Sequence, residues 1–120
     1  MTYEMTILGH VPSKANCYKV ITQFGHGGLA KQKVLKEYEK SFFIQCPHRD
    51  AMIEGYFNIE CDVFYETQRA DLDNALKITL DCLQMCKVIK NDNRCVEIHS
   101  RKFIDKTNPR IVIKLTTVDI

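Results

Sequence analysis

A chain of 120 residues, 45% of them hydrophobic and 27% charged with a net charge of only +2, has the make-up of one soluble globular domain able to close a core without disulfides. Three prolines and five glycines exclude a collagen-like repeat or a long flexible linker. No apolar run approaches the roughly 18–20 residues that cross a bilayer. The opening MTYEMTILGHVPSK has no basic start followed by an apolar block, so the expectation is a cytoplasmic chain with no membrane contact.

In chain order, residues 4–9 predict a short strand ending at Gly9, followed by a loop punctuated by Pro12-Ser13. Residues 17–24 are rich in Val, Ile, Tyr and Thr and predict a second strand. Gly25-His26-Gly27-Gly28 breaks it. From residue 29 to about 43 the pattern is helical, with Ala30, Val34, Leu35, Tyr38 and Phe42 on one face and Lys31, Lys33, Lys36 and Lys40 solvated. Residues 55–65 alternate, Phe57, Ile59, Cys61, Val63 and Tyr65 facing one way, which predicts a strand. A polar turn leads to a second helix over about 71–88, with a stripe of Leu72, Leu76, Leu80 and Leu83 beside Ala75. Asn91-Asp92-Asn93 is a turn, and two β-rich runs, 95–103 and 110–118, finish the chain. The order β-β-α-β-α-β-β predicts an α+β fold, one small domain over 1–120 with two main helices packed on a mixed sheet.

Six cysteines at positions 17, 46, 61, 82, 86 and 95 form no C-x-x-C pair. A zinc site needs such pairing, so the expectation is reduced, mostly buried thiols acting as small hydrophobes. Cys46-Pro-His48 could in principle hold a metal. His10, His26, His48 and His99 have no evident partner.

Charge is segregated along the chain. Residues 11–49 carry a net +5, residues 50–81 a net −6, and residues 82–114 a net +5. An acidic middle between basic arms fits either ordinary surface charge or a carboxylate site ringed by cations that bind a polyanion.

The acidic middle holds Asp71-Leu-Asp73-Asn74-x-x-Lys77-x-x-x-Asp81, with Asp92 following. Asp71 is a good helix N-cap, and Asp73 favours the positive end of the helix dipole. Lys77 stands four residues from both Asp73 and Asp81, so a capped helix with a solvated ladder of ion pairs would have the same residues. If Asp71, Asp73 and Asp92 converge, their hard oxygens select Mg²⁺ or Mn²⁺, and Lys77 beside them could stabilise charge on a phosphoryl transition state. Convergence requires the helix to end early, its following turn to fold back, or a second chain to supply a partner.

Arg69-Ala-Asp71-Leu-Asp73-Asn74-x-x-Lys77-x-x-x-Asp81, then Asn91-Asp92, resembles the RusA family of Holliday-junction resolvases of phages and prophages. The early Pro12-Ser13-Lys14-Ala15-Asn16-x-Tyr18-Lys19 is similar to that family's N-terminal motif, with one extra residue between Ser13 and Asn16. Residue 70 is Ala where a basic residue is common, and Asp92 stands without a second acid before it. The resemblance implies a homodimer that cuts four-way DNA junctions in paired symmetric cleavages with Mg²⁺ (Mn²⁺ substituting) and no organic cofactor. It implies that Asp71, Asp73 and Asp92 hold the metal and that Lys77 is catalytic. Lys14, Asn16, Lys19, Lys31, Lys33 and Arg69 are the candidate DNA contacts. The alternatives are a catalytically inactive junction-binding protein of the same fold and a small Cys/His zinc protein.

Overall fold

A computed structural model describes residues 1–23 and 26–119, the side chains of residues 14, 15, 21, 23, 26 and 29 apart. The elements are β1 (Thr2–Leu8), a short α1 (Lys14–Cys17), β2 (Tyr18–Gln23), β3 (His26–Lys31), α2 (Lys33–Gln45), β4 (Tyr56–Tyr65), α3 (Leu72–Met85), a 3-10 turn (Asp92–Arg94), β5 (Cys95–Ile104) and β6 (Arg110–Val118). The main sheet runs β1-β6-β4-β5. It is mixed: β4 pairs parallel with β5 and antiparallel with β6, and β6 pairs antiparallel with β1. A parallel pair needs a crossover connection, and α3 supplies it.

The alternation in β4 decides the core. Phe57, Ile59, Cys61, Val63 and Tyr65 are buried, as are Ile111, Ile113 and Leu115 of β6 and Met5 and Ile7 of β1. Helices α2 and α3 seal that face, α2 with Leu35, Tyr38 and Phe42, α3 with Ala75, Ile78, Leu80 and Leu83. Leu72 and Leu76 are only partly buried, so the buried stripe of α3 is turned toward Ile78, Thr79 and Cys82 relative to the leucine stripe expected from sequence.

The α+β expectation stands, with three corrections. The glycine-rich stretch after β2 is not a break before a helix. From His26 to Lys31 it is β3, pairing antiparallel with β2 in a separate ribbon from Tyr18↔Lys31 to Gln23↔His26. Glycine carries no β-propensity, so the pairing is set by β2 rather than by β3's own residues. Helix α2 consequently begins at Lys33, with Ala30 in the strand. Phe24 and Gly25, expected as strand end and break, lie outside the described residues.

The third correction is the end of α3. It stops at Met85, short of the expected residue 88. Lys87 adopts φ 57°, the Val88 N–H donates to the Leu83 carbonyl at 2.9 Å, and the Lys87 N–H donates to the Gln84 carbonyl at 3.1 Å. This is a Schellman cap, with a lysine in the left-handed position usually held by glycine. The chain reverses there and zips against the segment after α2, through Met52 N–H to the Lys87 carbonyl and Lys90 N–H to the Ile53 carbonyl, both 2.9 Å.

All six thiols are free, and five are buried, with Cys95 half-buried. Burial pushes the Cys61 thiol up to about 12. Among the described residues no helix is long and apolar enough to cross a membrane.

Candidate active site

Asp71 is the N-cap residue of α3, as its sequence position predicts, but its carboxylate makes no capping hydrogen bond. The backbone does the anchoring instead: Tyr65 Oη, at the end of β4, donates to the Asp71 carbonyl at 3.1 Å. Burial, reinforced by the nearby charges of Asp71 and Asp73, raises the Tyr65 phenol to about 12, so it stays a donor. The Asp71 side chain is exposed. Asp73 is exposed in the first turn, where its Oδ1 accepts the Asn74 N–H at 2.9 Å. Asn74 Nδ2 reaches across to the Pro12 carbonyl at 2.9 Å, which ties the Pro12-Ser13 loop to the start of α3. Gly9, at φ 115°, turns β1 into that loop. His10, Pro12, Tyr65, Arg69, Asp71 and Asn74 together line a small cleft of about 150 Å³.

Lys77, one turn further along α3, does not pair with Asp73 among the described residues. Its ammonium lies 3.2 Å from Asp81 Oδ1 and 3.8 Å from Asp92 Oδ2. Two carboxylates outweigh one, and Asp73 is engaged by a backbone N–H. The hydrogen bond and charge of Asp81, and then the charge of Asp92, raise the Lys77 pKa, so it is a cation at neutral pH. Asp92 reaches Lys77 because the Schellman cap turns the chain back; its N–H donates to Gln84 Oε1 at 3.1 Å, which fastens the 3-10 turn to α3.

The carboxylates are the hard oxygen donors that Mg²⁺ takes. Among the described residues, however, no three metal-ligating side chains form one group that could hold an ion. Asp71 and Asp73 stand at the head of α3, and Asp92 lies against Lys77 on the same helix. Mg²⁺ needs only one or two carboxylates besides water and phosphate, so the donor chemistry fits. The same absence holds for a Cys/His zinc set: Cys46 is buried, and His48 Nε2 lies 3.0 Å from the Glu4 carbonyl oxygen.

The basic candidates divide. Arg69 and Lys19 are exposed, Arg69 on the rim of the cleft beside Asp71. Asn16 sits in α1, its N–H donating to the Ser13 carbonyl at 3.0 Å, and is exposed. Lys31 is held 2.7 Å from Glu39, which raises its pKa by a side-chain hydrogen bond, and Lys33 lies 3.7 Å from Glu37. Each therefore offers a phosphate less than a free cation would. The Lys14 side chain lies outside the described residues. Sequence reasoning missed Lys102, whose ammonium donates to the carbonyls of Gln68 and Ala70 at 3.0 and 3.2 Å and braces the loop ahead of Asp71. Nothing in sequence spacing connects residue 102 to residue 70; the parallel β4–β5 register does.

The model of the family described as endodeoxyribonuclease RusA matches residues 29–116, which includes Asp71, Asp73, Lys77 and Asp92 and leaves the Pro12–Tyr18 motif outside. A crossover junction endodeoxyribonuclease RusA from Aquifex aeolicus (strain VF5) is 40% identical over 48 residues, covering 40% of this chain and 38% of that protein. With the family match spanning most of its length, the chain belongs to the RusA endodeoxyribonuclease family.

Proposed function

We propose that the chain is a Mg²⁺-dependent endodeoxyribonuclease that resolves four-way DNA junctions as a homodimer, with Mn²⁺ able to substitute. Asp71, Asp73 and Asp92 are the metal-holding carboxylates, and Lys77 is the catalytic cation. The observation that carries this reading is Lys77 held by Asp81 and Asp92 on the helix that begins with Asp71 and Asp73, in a chain of this family. A divalent ion, when bound, would activate water and neutralise the scissile phosphate. The chain's own residues do the rest. The ammonium of Lys77 stabilises the charge that develops on the phosphoryl oxygens. Arg69, Lys19, Lys14 and Asn16, with lesser help from Lys31 and Lys33, hold flanking backbone, giving affinity without sequence information. Two symmetric cuts require two sites related by a two-fold axis. Residues 1–120 hold a single nuclease domain that acts in the cytoplasm.

The alternative is a junction-binding protein of the same fold that does not cut. Incubation with a synthetic four-way junction and with linear duplex, in Mg²⁺ and in a chelator, separates the two. Cutting of the junction alone, abolished by chelation, is expected; tight junction binding without cutting in Mg²⁺ or Mn²⁺ would establish the second reading.

A further inference from the structure

The 3-10 turn that delivers Asp92 to Lys77 has a second side. There, Glu54, Lys90, Asn91, Asn93 and Arg94 line a surface cavity of about 350 Å³. Its walls are built rather than incidental. The segment after α2 is hydrogen-bonded to the segment after α3, from Asp50 N–H to the Cys86 carbonyl through Lys90 N–H to the Ile53 carbonyl, which brings Glu54 beside Lys90. Asn91 Oδ1 caps the 3-10 turn by accepting the Asn93 N–H at 3.0 Å, which leaves its amide nitrogen without that duty. The Arg94 guanidinium lies over the Tyr56 ring, 5.2 Å from its centroid, a contact that orients the planar fork. Lys90 and Glu54 are only at the limit of an ion pair, 4.0 Å apart and both exposed, so the lysine is not neutralised. Two cations, two amides and one carboxylate thus face one cavity, flanking in sequence the acid that contacts Lys77.

We propose that this cavity is a backbone-phosphate subsite for the DNA strand that crosses the Asp92–Lys77 pair, with Lys90 and Arg94 as its cationic ligands and the Asn91 and Asn93 amides as donors. The assignment rests on the nuclease reading above and deepens it. Its chemistry is that of a phosphodiester: a guanidinium fork and an ammonium suit non-bridging oxygens, and none of the lining groups requires a base edge. The subsite holds the strand beside the turn that carries Asp92, so that the reacting phosphate is fixed by a further contact.

The test is equilibrium binding of a synthetic four-way junction in a chelator, across a range of salt concentrations, by the full chain and two variants. Lys90→Ala with Arg94→Ala is expected to weaken binding and to reduce the slope of log affinity against log salt by about one, the loss of one phosphate contact. Glu54→Gln, which removes the one carboxylate lining the cavity among the described residues, is expected to tighten binding. A fold defect would weaken both, so opposite signs exclude it, and the change in salt slope reads the lost phosphate contact. Unchanged affinity and slope in the double variant, with the unaltered chain binding normally, would overturn the subsite alone. Failure of the unaltered chain to bind the junction would overturn the nuclease reading and the subsite with it.

Discussion

Lys77 Nζ stands 3.8 Å from Asp92 Oδ2, although the end of α3 and a reversing turn separate the two in sequence. The contact exists because α3 ends in a Schellman cap and because Gln84 holds the Asp92 N–H. Both partners retain exposure, the lysine side chain at 68%. Exposed ion pairs contribute less than about 1 kcal/mol, so the pair is weak as a structural device. Lys77→Met is expected to slow junction cleavage by about 10²–10³-fold while shifting the urea midpoint by an amount worth no more than about 0.5 kcal/mol. A large loss of stability with unaltered cleavage would make Lys77 structural.

The carboxylates at the head of α3 allow the same separation of stability from activity. Asn is as good an N-cap as Asp, and the Asp71 carboxylate makes no cap bond to lose. Asp73→Asn forfeits at most a helix-dipole interaction of about 0.3–1 kcal/mol. Asp71→Asn and Asp73→Asn are both expected to fold, to bind a junction as tightly as the parent or more tightly because a phosphate-repelling charge is gone, and to lose cleavage. Gel-shift and cleavage measured on the same preparations check this.

Lys87→Gly should stabilise the chain. A lysine at φ 57° sits in a region that costs a side-chain-bearing residue roughly 1 kcal/mol, and glycine is the usual occupant of that cap position. Thermal unfolding should rise by a few degrees. A fall would mean that the Lys87 side chain contributes more than its backbone costs.

Much of this was legible in the sequence, for physical reasons. The period-two alternation of β4 survives because one face of that strand is fully buried. The i, i+4 placement of Lys77 and Asp81 is a helix property that no tertiary contact overrode. Residues 26–31 were not legible, since a Gly-Gly stretch is strand only by virtue of its partner β2. The end of α3 was missed because no glycine or proline marks it; the helix stops where Lys87 accepts a left-handed backbone. Nor do the residues by themselves fix where Asp92 lies, since that depends on the cap and on Gln84. The pairing of Lys31 with Glu39, which links the end of β3 to α2, was hidden by the wrong start assigned to the helix.

Stability should decline on the alkaline side. Burial, reinforced by the charge of Asp62, raises the Cys61 thiol from an ordinary 9.0 to about 12, and Cys82 is raised too, by burial first and then by the charge of Glu39. The unfolded chain therefore releases these protons first, and the folded chain binds more protons above pH 9. The contribution is complete below that pH and is lost as pH rises toward the folded values. Each thiol removes up to about 1.4 kcal/mol per pH unit in that window. The urea midpoint is expected to be flat to about pH 8.5 and to fall beyond it, while alkylation of the native chain reaches half-buried Cys95 before the five buried thiols. A midpoint unchanged from pH 8 to 10.5 would contradict the burial assigned to Cys61 and Cys82.

The most direct measurement is a four-way junction labelled in turn on each of its four strands, incubated in Mg²⁺ with the unaltered chain and with Asp73→Asn, and mapped to the nucleotide. Cuts at symmetric positions on two opposing strands by the unaltered chain, and none by the variant, are expected if Asp71, Asp73, Asp92 and Lys77 form the nuclease centre. Equal cutting by the variant, or scattered cuts that appear as readily in linear duplex, would contradict it.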